Sequence, residues 1–452
     1  MKRITTLLLR IVLALVVLVI VVTAITLAPV DDTPFHQTDY YKTYRANLTK
    51  LSQVKAPAAT SAIRAGWSKI NLTPAYTTPT AGYGARKGHH WSVVMDSIFV
   101  RAIVLDNGAT KAAMVSADLL IIPPAVSEQL KQRLPSIGFS WDHVYLGATH
   151  SHNSIGGWAE GYTGELFAGP YEVRIVEHIT NKILEAIQVA SKQMAPVQLG
   201  YGQMYQADMM RNRLVGDKGT LDPFIRLLKL QKDSGESALI CTYAAHATTL
   251  DAHQEKILSR DYPGVLVDSL ERKSASFAMF MAGAVGSMAP LEEEKNDTLQ
   301  MRNEAIGLQI EIEHNLSRIK LAPDSSLNIL TLPLPLREPH ARISAGWRFR
   351  PWVFKKLFGD YSVDLKALRI GDVVFVGTPC DFSGELVNDF QADATKKGTN
   401  LLITSFNGGY VGYITPDKYY DMDAYETRTM NWYGPYNAAY FEEAIRALLT
   451  LI

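Results

Sequence analysis

Apolar residues run almost without interruption from Ile11 to Leu27, with nothing more polar than Thr23 and Thr26 between them. With Ile4 to Leu9 included, the stretch is long enough to cross a hydrocarbon core of roughly 30 Å as a helix. Lys2, Arg3 and Arg10 on its amino side and Asp31-Asp32 after it predict a cytoplasmic amino end. The remainder is then exported, to a periplasmic or extracellular face. The competing expectation is a cleaved signal peptide and a secreted chain. Val22-Thr23-Ala24 has the small residues of a cleavage site, which would leave a new terminus near Ile25, while Pro29 hinders cleavage after Ala28. The length of the run favours an uncleaved anchor over residues 1–28.

The pattern then changes. Residues 29–64 are polar with scattered tyrosines, as in a spacer or a short helix. Gly66 to Pro74 alternates like a strand and is stopped by proline. Ser97 to Leu105 and Lys111 to Ser116 flank Asp106-Asn107-Gly108, which suits a hairpin with a type I′ turn. Pro123 to Leu134 has helical spacing, and a strand follows from Val144. In Tyr171 to Ala190 the isoleucines at 175, 179, 183 and 187 recur every four residues, predicting an amphipathic helix. Further strands are expected at 197–201, 225–231, 238–245, 276–281, 372–377 and 400–405, with helices at 298–319 and 438–449. This order predicts an α/β protein: a mixed β-sheet core flanked by helices, occupying residues 65–452 and preceded by the transmembrane or signal helix. Ile343 to Phe358 departs from the alternation by mixing Trp347, Phe349, Trp352, Phe354 and Phe358 with Arg348, Arg350, Lys355 and Lys356. That mixture suits a membrane surface; the alternative is a loop folding its rings onto the core.

Composition narrows the function classes. The 45 basic residues balance 45 acidic ones, so nothing in the bulk charge favours nucleic acid. Cys241 and Cys380 are the only cysteines, which excludes a disulfide framework and a Cys-rich zinc site and leaves a single bridge open. No protein partner is predictable.

Candidate chemistry gathers at strand ends. The run Val144 to Ala148 leads into Thr149-His150-Ser151-His152-Asn153 and then Gly156-Gly157. If the segment stays extended, His150 and His152 share a face about 7 Å apart, half of a metal or acid/base site. His246, Asp381 and Tyr413 also follow strand-like runs. Two histidines and a carboxylate with an open position would make a catalytic zinc site that activates water. A serine hydrolase is the alternative, yet no G-x-S-x-G elbow is present, and there is no Walker A loop or dinucleotide fingerprint.

The motifs Gly66 to Pro74, Ala81-Gly82-Tyr83-Gly84, Asp96 to Ala102 and Ala148-Thr149-His150-Ser151-His152 together resemble the neutral/alkaline non-lysosomal ceramidases. The late pattern Tyr410-Val411-Gly412-Tyr413-Ile414-Thr415-Pro416, with Tyr425-Glu426 and Tyr433-Gly434-Pro435-Tyr436, is similar to that family's closing motif. The resemblance runs from about Ala65 to the carboxyl end. It implies a Zn2+ ion held by two histidines, a carboxylate and a tyrosine, with water activated to cleave the amide of an N-acylsphingosine. Carried over residue by residue, the metal ligands are His150, His246, Asp381 and Tyr413, and the catalytic residues are His152 and the loop arginine Arg213. Asp381 stands where the family has a glutamate, one methylene longer.

Two departures accompany the resemblance. Gly283 stands at the position of the family's catalytic serine, and Ser287 lies four residues later. The family's immunoglobulin-like domain is not expected in a chain that stops soon after Tyr436. The expectation is therefore a membrane-anchored zinc hydrolase acting on a lipid amide such as ceramide. The alternatives are a zinc hydrolase of a non-lipid amide or ester, and a non-catalytic lipid-binding or scaffold domain.

Overall fold

The structure is a computed structural model describing residues 2–452. Its largest sheet has nine strands. The main path runs Phe277–Ala282, Ser237–Tyr243, Phe224–Lys232, Ala195–Tyr205, Arg64–Asn71, Phe99–Asp106, Lys111–Ala117 and Val144–Ala148. The outermost pair at each end is parallel and the pairs between are antiparallel, so the sheet is mixed. A second sheet of four strands is built from Leu327–Pro333, Asp364–Ile370, Val373–Gly377 and Asn400–Thr404.

Alternating side chains explain how the sheets stack. Ile103, Leu105, Met114, Tyr145, Ile240 and Met279 from the large sheet form one buried cluster with Ile329, Leu368, Phe375 and Leu402 from the small one. The opposite faces are covered by helices. On the large sheet, Val100, Ala102, Val104 and Val115 meet the isoleucines at 175, 179, 183 and 187 of the Val173–Ser191 helix. The helices Asp261–Lys273 and Asn296-capped Asp297–Leu316 cover the rest of that face. On the small sheet, Leu365, Val374, Val376 and Ile403 meet the Val387–Lys396 and Asn437–Leu451 helices. The result is four layers, helix on sheet on sheet on helix, in which most strands are buried on both faces and so read as continuous apolar runs.

Several local expectations change. The residues joining Phe99–Asp106 to Lys111–Ala117 form a loop from 107 to 110, not a two-residue type I′ turn. Asn107 is buried there: its Oδ1 accepts from the Ala109 and Thr110 amides (3.1 and 2.7 Å), and its Nδ2 donates to Ser325 O (2.9 Å). A side chain committed to tertiary bonds takes the loop out of the tight-turn geometry. Within 29–64, read as a spacer or a short helix, Asp39–Leu51 is a helix, and it packs onto the domain with Tyr44 fully buried against the carboxyl-terminal helix. Cys241 and Cys380 are both buried and free.

Lys2–Thr26 is one continuous helix with its apolar side chains exposed, long and apolar enough to cross a membrane. The aromatic and basic stretch folds only partly onto the core. Phe354 is buried in a core cluster, while Trp347 and Trp352 remain exposed.

Candidate functional site

The Val144–Ala148 strand ends before the histidines, and the chain turns at His150, which has φ of 63°. Left-handed backbone is unusual for a residue with a Cβ, and such strain collects at functional sites. The extended geometry with histidines about 7 Å apart is therefore not what forms. The turn brings the rings together, with His152 Nε2 3.2 Å from His150 Nε2. Arg86, buried, secures the turn by donating to His152 O (2.6 Å) and Asn153 Oδ1 (2.9 Å). Gly82, with φ of 121°, leaves room for the His152 ring: a Cβ there would lie 2.8 Å from Nδ1.

His246 follows the Ser237–Tyr243 strand by three residues. Asp381 and Tyr413 arrive together because Asp381–Phe382 and Tyr413–Ile414 pair in parallel with these two residues opposite each other. Side chains in register on neighbouring strands point the same way. All four expected ligands thus converge. Asp381 Oδ1 lies 3.5 Å from His150 Nε2 and 3.3 Å from His246 Nε2, and Tyr413 Oη is 3.1 Å from His246 Nε2. His150, His152 and His246 form a group whose ligand nitrogens all lie within 4.8 Å of one another.

The protonation pattern decides what this cluster can hold. His150 Nδ1 is 2.7 Å from Leu120 O and His246 Nδ1 is 2.8 Å from Met288 O. A carbonyl only accepts, so in both rings Nδ1 carries the hydrogen. Burial pushes His150 down to about 3, only partly opposed by Asp381, and pushes His246 and His152 well below the usual histidine range. The rings are neutral, and the close approaches to Asp381 are not ion pairs. Two Nε2 lone pairs therefore face a carboxylate oxygen, and Asp381 Oδ1 is buried with no hydrogen-bond donor. Acceptors aimed at one another in a dry interior are costly unless a proton or a cation joins them, and burial raises Asp381 above its ordinary value. The nitrogen and oxygen donor set, with backbone carbonyls fixing both tautomers, fits a divalent metal.

The expected Arg213 and one residue beyond the expected set, Tyr410, hold the oxygens. Tyr410 Oη donates to Asp381 Oδ2 (2.7 Å), and Arg213 donates to Tyr413 Oη (2.8 Å) and to Glu426 (2.8 Å). Phe406 stacks on His150 with ring centroids 4.2 Å apart. Tyr410 and Glu426 were visible only as members of the closing motif. Their roles depend on which side chains they meet.

Gly283, at the position of the family's serine, has backbone packed close around it. A Cβ at Gly283 would sit 2.9 Å from the Tyr243 carbonyl oxygen, so glycine is what lets these strand ends approach. Ser287 is fully buried and hydrogen-bonded to Ser383 at 2.7 Å.

Next to the cluster lies an open cleft. His150, His152, Asp381 and Tyr413 line one part of it, and Ile121, Trp158, Phe167, Phe358, Met430 and Trp432 make the rest largely apolar. An apolar cleft with a few convergent polar groups is the usual form of a small-molecule site.

Residues 64–290 match the sequence model described as "Neutral/alkaline non-lysosomal ceramidase, N-terminal". The neutral ceramidase of Pseudomonas aeruginosa is 25% identical over 213 residues, covering 42% of this chain and 32% of that protein. The neutral ceramidase of Mycobacterium tuberculosis is 22% identical over 192 residues, covering 39% and 30%. The matched region thus spans about a third of each relative's length. Among solved structures, the neutral ceramidase from Pseudomonas aeruginosa superposes with a TM-score of 0.73 at 18% identity, over 86% of this chain and 75% of that one. A ceramidase complexed with C2 gives 0.74 at 18% identity, over 85% and 74%. The fold is shared along most of the chain, and the matched sequence holds His150, His152, Arg213 and His246. The protein belongs to the neutral/alkaline non-lysosomal ceramidase family.

Proposed function

We propose that the protein is a zinc-dependent hydrolase that cleaves the amide bond of an N-acyl lipid such as ceramide. The observation that carries this reading is Asp381 Oδ1, buried without a donor and faced by two Nε2 lone pairs, beside an apolar cleft. His150, His246, Asp381 and Tyr413 would hold the ion. Zinc bound there would supply a Lewis acid for the amide carbonyl and lower the pKa of water.

The chain's own residues supply the rest. His152 Nε2 lies 3.2 Å from His150 Nε2, beside the place the ion would take. From there His152 would hold or pass a proton for a developing oxyanion or a leaving amine. Arg213, held protonated by Tyr413 and Glu426, keeps the tyrosine oxygen beside His246. The Trp158, Phe167 and Trp432 surfaces accept acyl chain and exclude water. The apolar helix serves as an uncleaved anchor, which keeps the exported domain at a membrane.

A second reading draws support from Gly283, where no hydroxyl is available to bind a ceramide head group: a zinc hydrolase of another amide or ester. A site lacking one hydrogen bond to substrate shifts preference substantially.

The test measures the metal content of the purified full chain by elemental analysis and turnover on N-acylsphingoid lipids, other N-acyl amines and short soluble esters in parallel. One zinc per chain with fatty acid released from lipid amides is expected. Turnover of a soluble ester alone moves the assignment to the second reading. Full zinc with no turnover of any substrate leaves a binding module, and no zinc removes the hydrolase.

A further inference from the structure

The last carbonyls of a helix have no partner within it. Three of those of the apolar helix are taken by one short region of the domain. Arg350 Nε donates to Ala24 O (3.1 Å), Trp352 Nε1 to Ile25 O (2.9 Å), and the Arg350 amide to Thr26 O (2.8 Å). The Arg350 guanidinium also places positive charge where the helix dipole favours it. Leu27–Pro29 then pairs antiparallel with Trp347–Phe349, Ala28 opposite Arg348, and the Val30 amide donates to Gly346 O (3.0 Å). Main-chain pairing of this kind sets a direction as well as a distance.

The Pro351–Phe358 helix connects this junction to the cleft. Phe354 is buried beside Trp432 and Phe358 lines the cleft, whereas Trp352, on the face opposite Phe354, is 54% exposed. At 1.5 Å rise per residue, Phe358 lies only about 9 Å along the axis from Trp352. The Gly161–Ala168 helix repeats the arrangement: Thr163 and Phe167 line the cleft, while Tyr162 and Leu166, each one position earlier, are exposed. Trp352 bonds to the last turn of the apolar helix, so its depth in a bilayer is that of the helix end. Exposed tryptophan, tyrosine and leucine beside Arg348, Arg350, Lys355 and Lys356 match the chemistry of a headgroup layer carrying negative charge.

We propose that this junction docks the domain on its anchor in one orientation and rests the mouth of the cleft on the lipid bilayer surface through Trp347, Trp352, Tyr162 and Leu166. It rests on the reading of Lys2–Thr26 as a retained membrane anchor. The anchor is then part of the entrance to the site, and a lipid reaches the cleft along the bilayer without crossing water.

The test reconstitutes the full chain in vesicles of phosphatidylcholine and phosphatidylglycerol with acyl chains brominated near the headgroup, and compares tryptophan fluorescence with unbrominated vesicles. Quenching is expected for the natural sequence, with loss of most of it in the Trp347→Phe, Trp352→Phe double variant. Quenching undiminished in that variant overturns the platform. A second readout combines Ala28→Cys with Arg348→Cys. Cys241 and Cys380 are buried, so mild oxidation should remove the two introduced thiols from alkylation by closing a disulfide. Full alkylation of both after oxidation overturns the docking. Neither readout uses turnover or metal, so their failure is distinct from failure of the hydrolase assignment.

Discussion

The two halves of the cluster are held in place by different means. His150 and His246 follow strands of the large sheet, and each is locked by a bond from Nδ1 to a backbone carbonyl, Leu120 or Met288. Asp381 and Tyr413 come from a two-residue strand pair, and their oxygens are locked by side chains, Tyr410 and Arg213. A carbonyl is present whatever residue carries it. A phenol or a guanidinium can be deleted. The imidazole half is therefore insensitive to the identity of its neighbours, and the oxygen half is tuned by them.

The most severe way to break this contrast removes an imidazole. His246→Ala should abolish stoichiometric metal in elemental analysis and turnover with it, since His246 Nε2 lies 3.3 Å from Asp381 Oδ1 and 3.1 Å from Tyr413 Oη. Metal retained at one per chain would place the ion elsewhere.

Next in size is His152→Ala, expected to lower turnover by about 100-fold or more with metal content unchanged. The three imidazoles lie close enough for His152 to be a ligand as well. Loss of metal in this variant would transfer His152 from proton handling to coordination and relieve Asp381 of that place.

The contrast is sharpened by Tyr410→Phe. Removing the partner that orients a metal-binding carboxylate typically costs 10–100-fold in affinity, so competition with a chelator should show weakened metal binding with the fold intact. Affinity equal to that of the natural sequence would mean that strand pairing alone orients Asp381.

The smallest effect is expected from Gly283→Ser. A Cβ 2.9 Å from the Tyr243 carbonyl forces the strand ends apart, at a cost of about 1–3 kcal/mol, read as a lowered Tm without a gain in turnover. A rise in ceramide turnover at unchanged Tm would show that the position accepts a catalytic hydroxyl after all.

Much of this architecture was legible in the order of residues. The four-residue recurrence of Ile175, Ile179, Ile183 and Ile187 specified a helix and its buried face, because helical periodicity is a local property. Alternation and β-branched runs likewise marked the strands of a mixed α/β core, and the apolar run from Ile11 to Leu27 marked the long helix. His150, His246, Asp381 and Tyr413 were identifiable as candidates at the ends of strand-like runs, and His152 by its spacing from His150. Tertiary structure decided the remainder. The left-handed backbone at His150, which turns two histidines from strand neighbours into touching rings, is held by Arg86 and admitted by Gly82, residues more than 60 positions away. The tautomers of His150 and His246 depend on carbonyls of other segments, and the support of Asp381 by Tyr410 depends on strand register. The closed position at Gly283, the docking of Tyr44 in a stretch that reads as a spacer or a short helix, and the fastening of the anchor by Arg350 and Trp352 are all contacts between distant residues. Periodicity records which face of an element avoids water; which groups meet once those faces are buried is settled only when the elements pack.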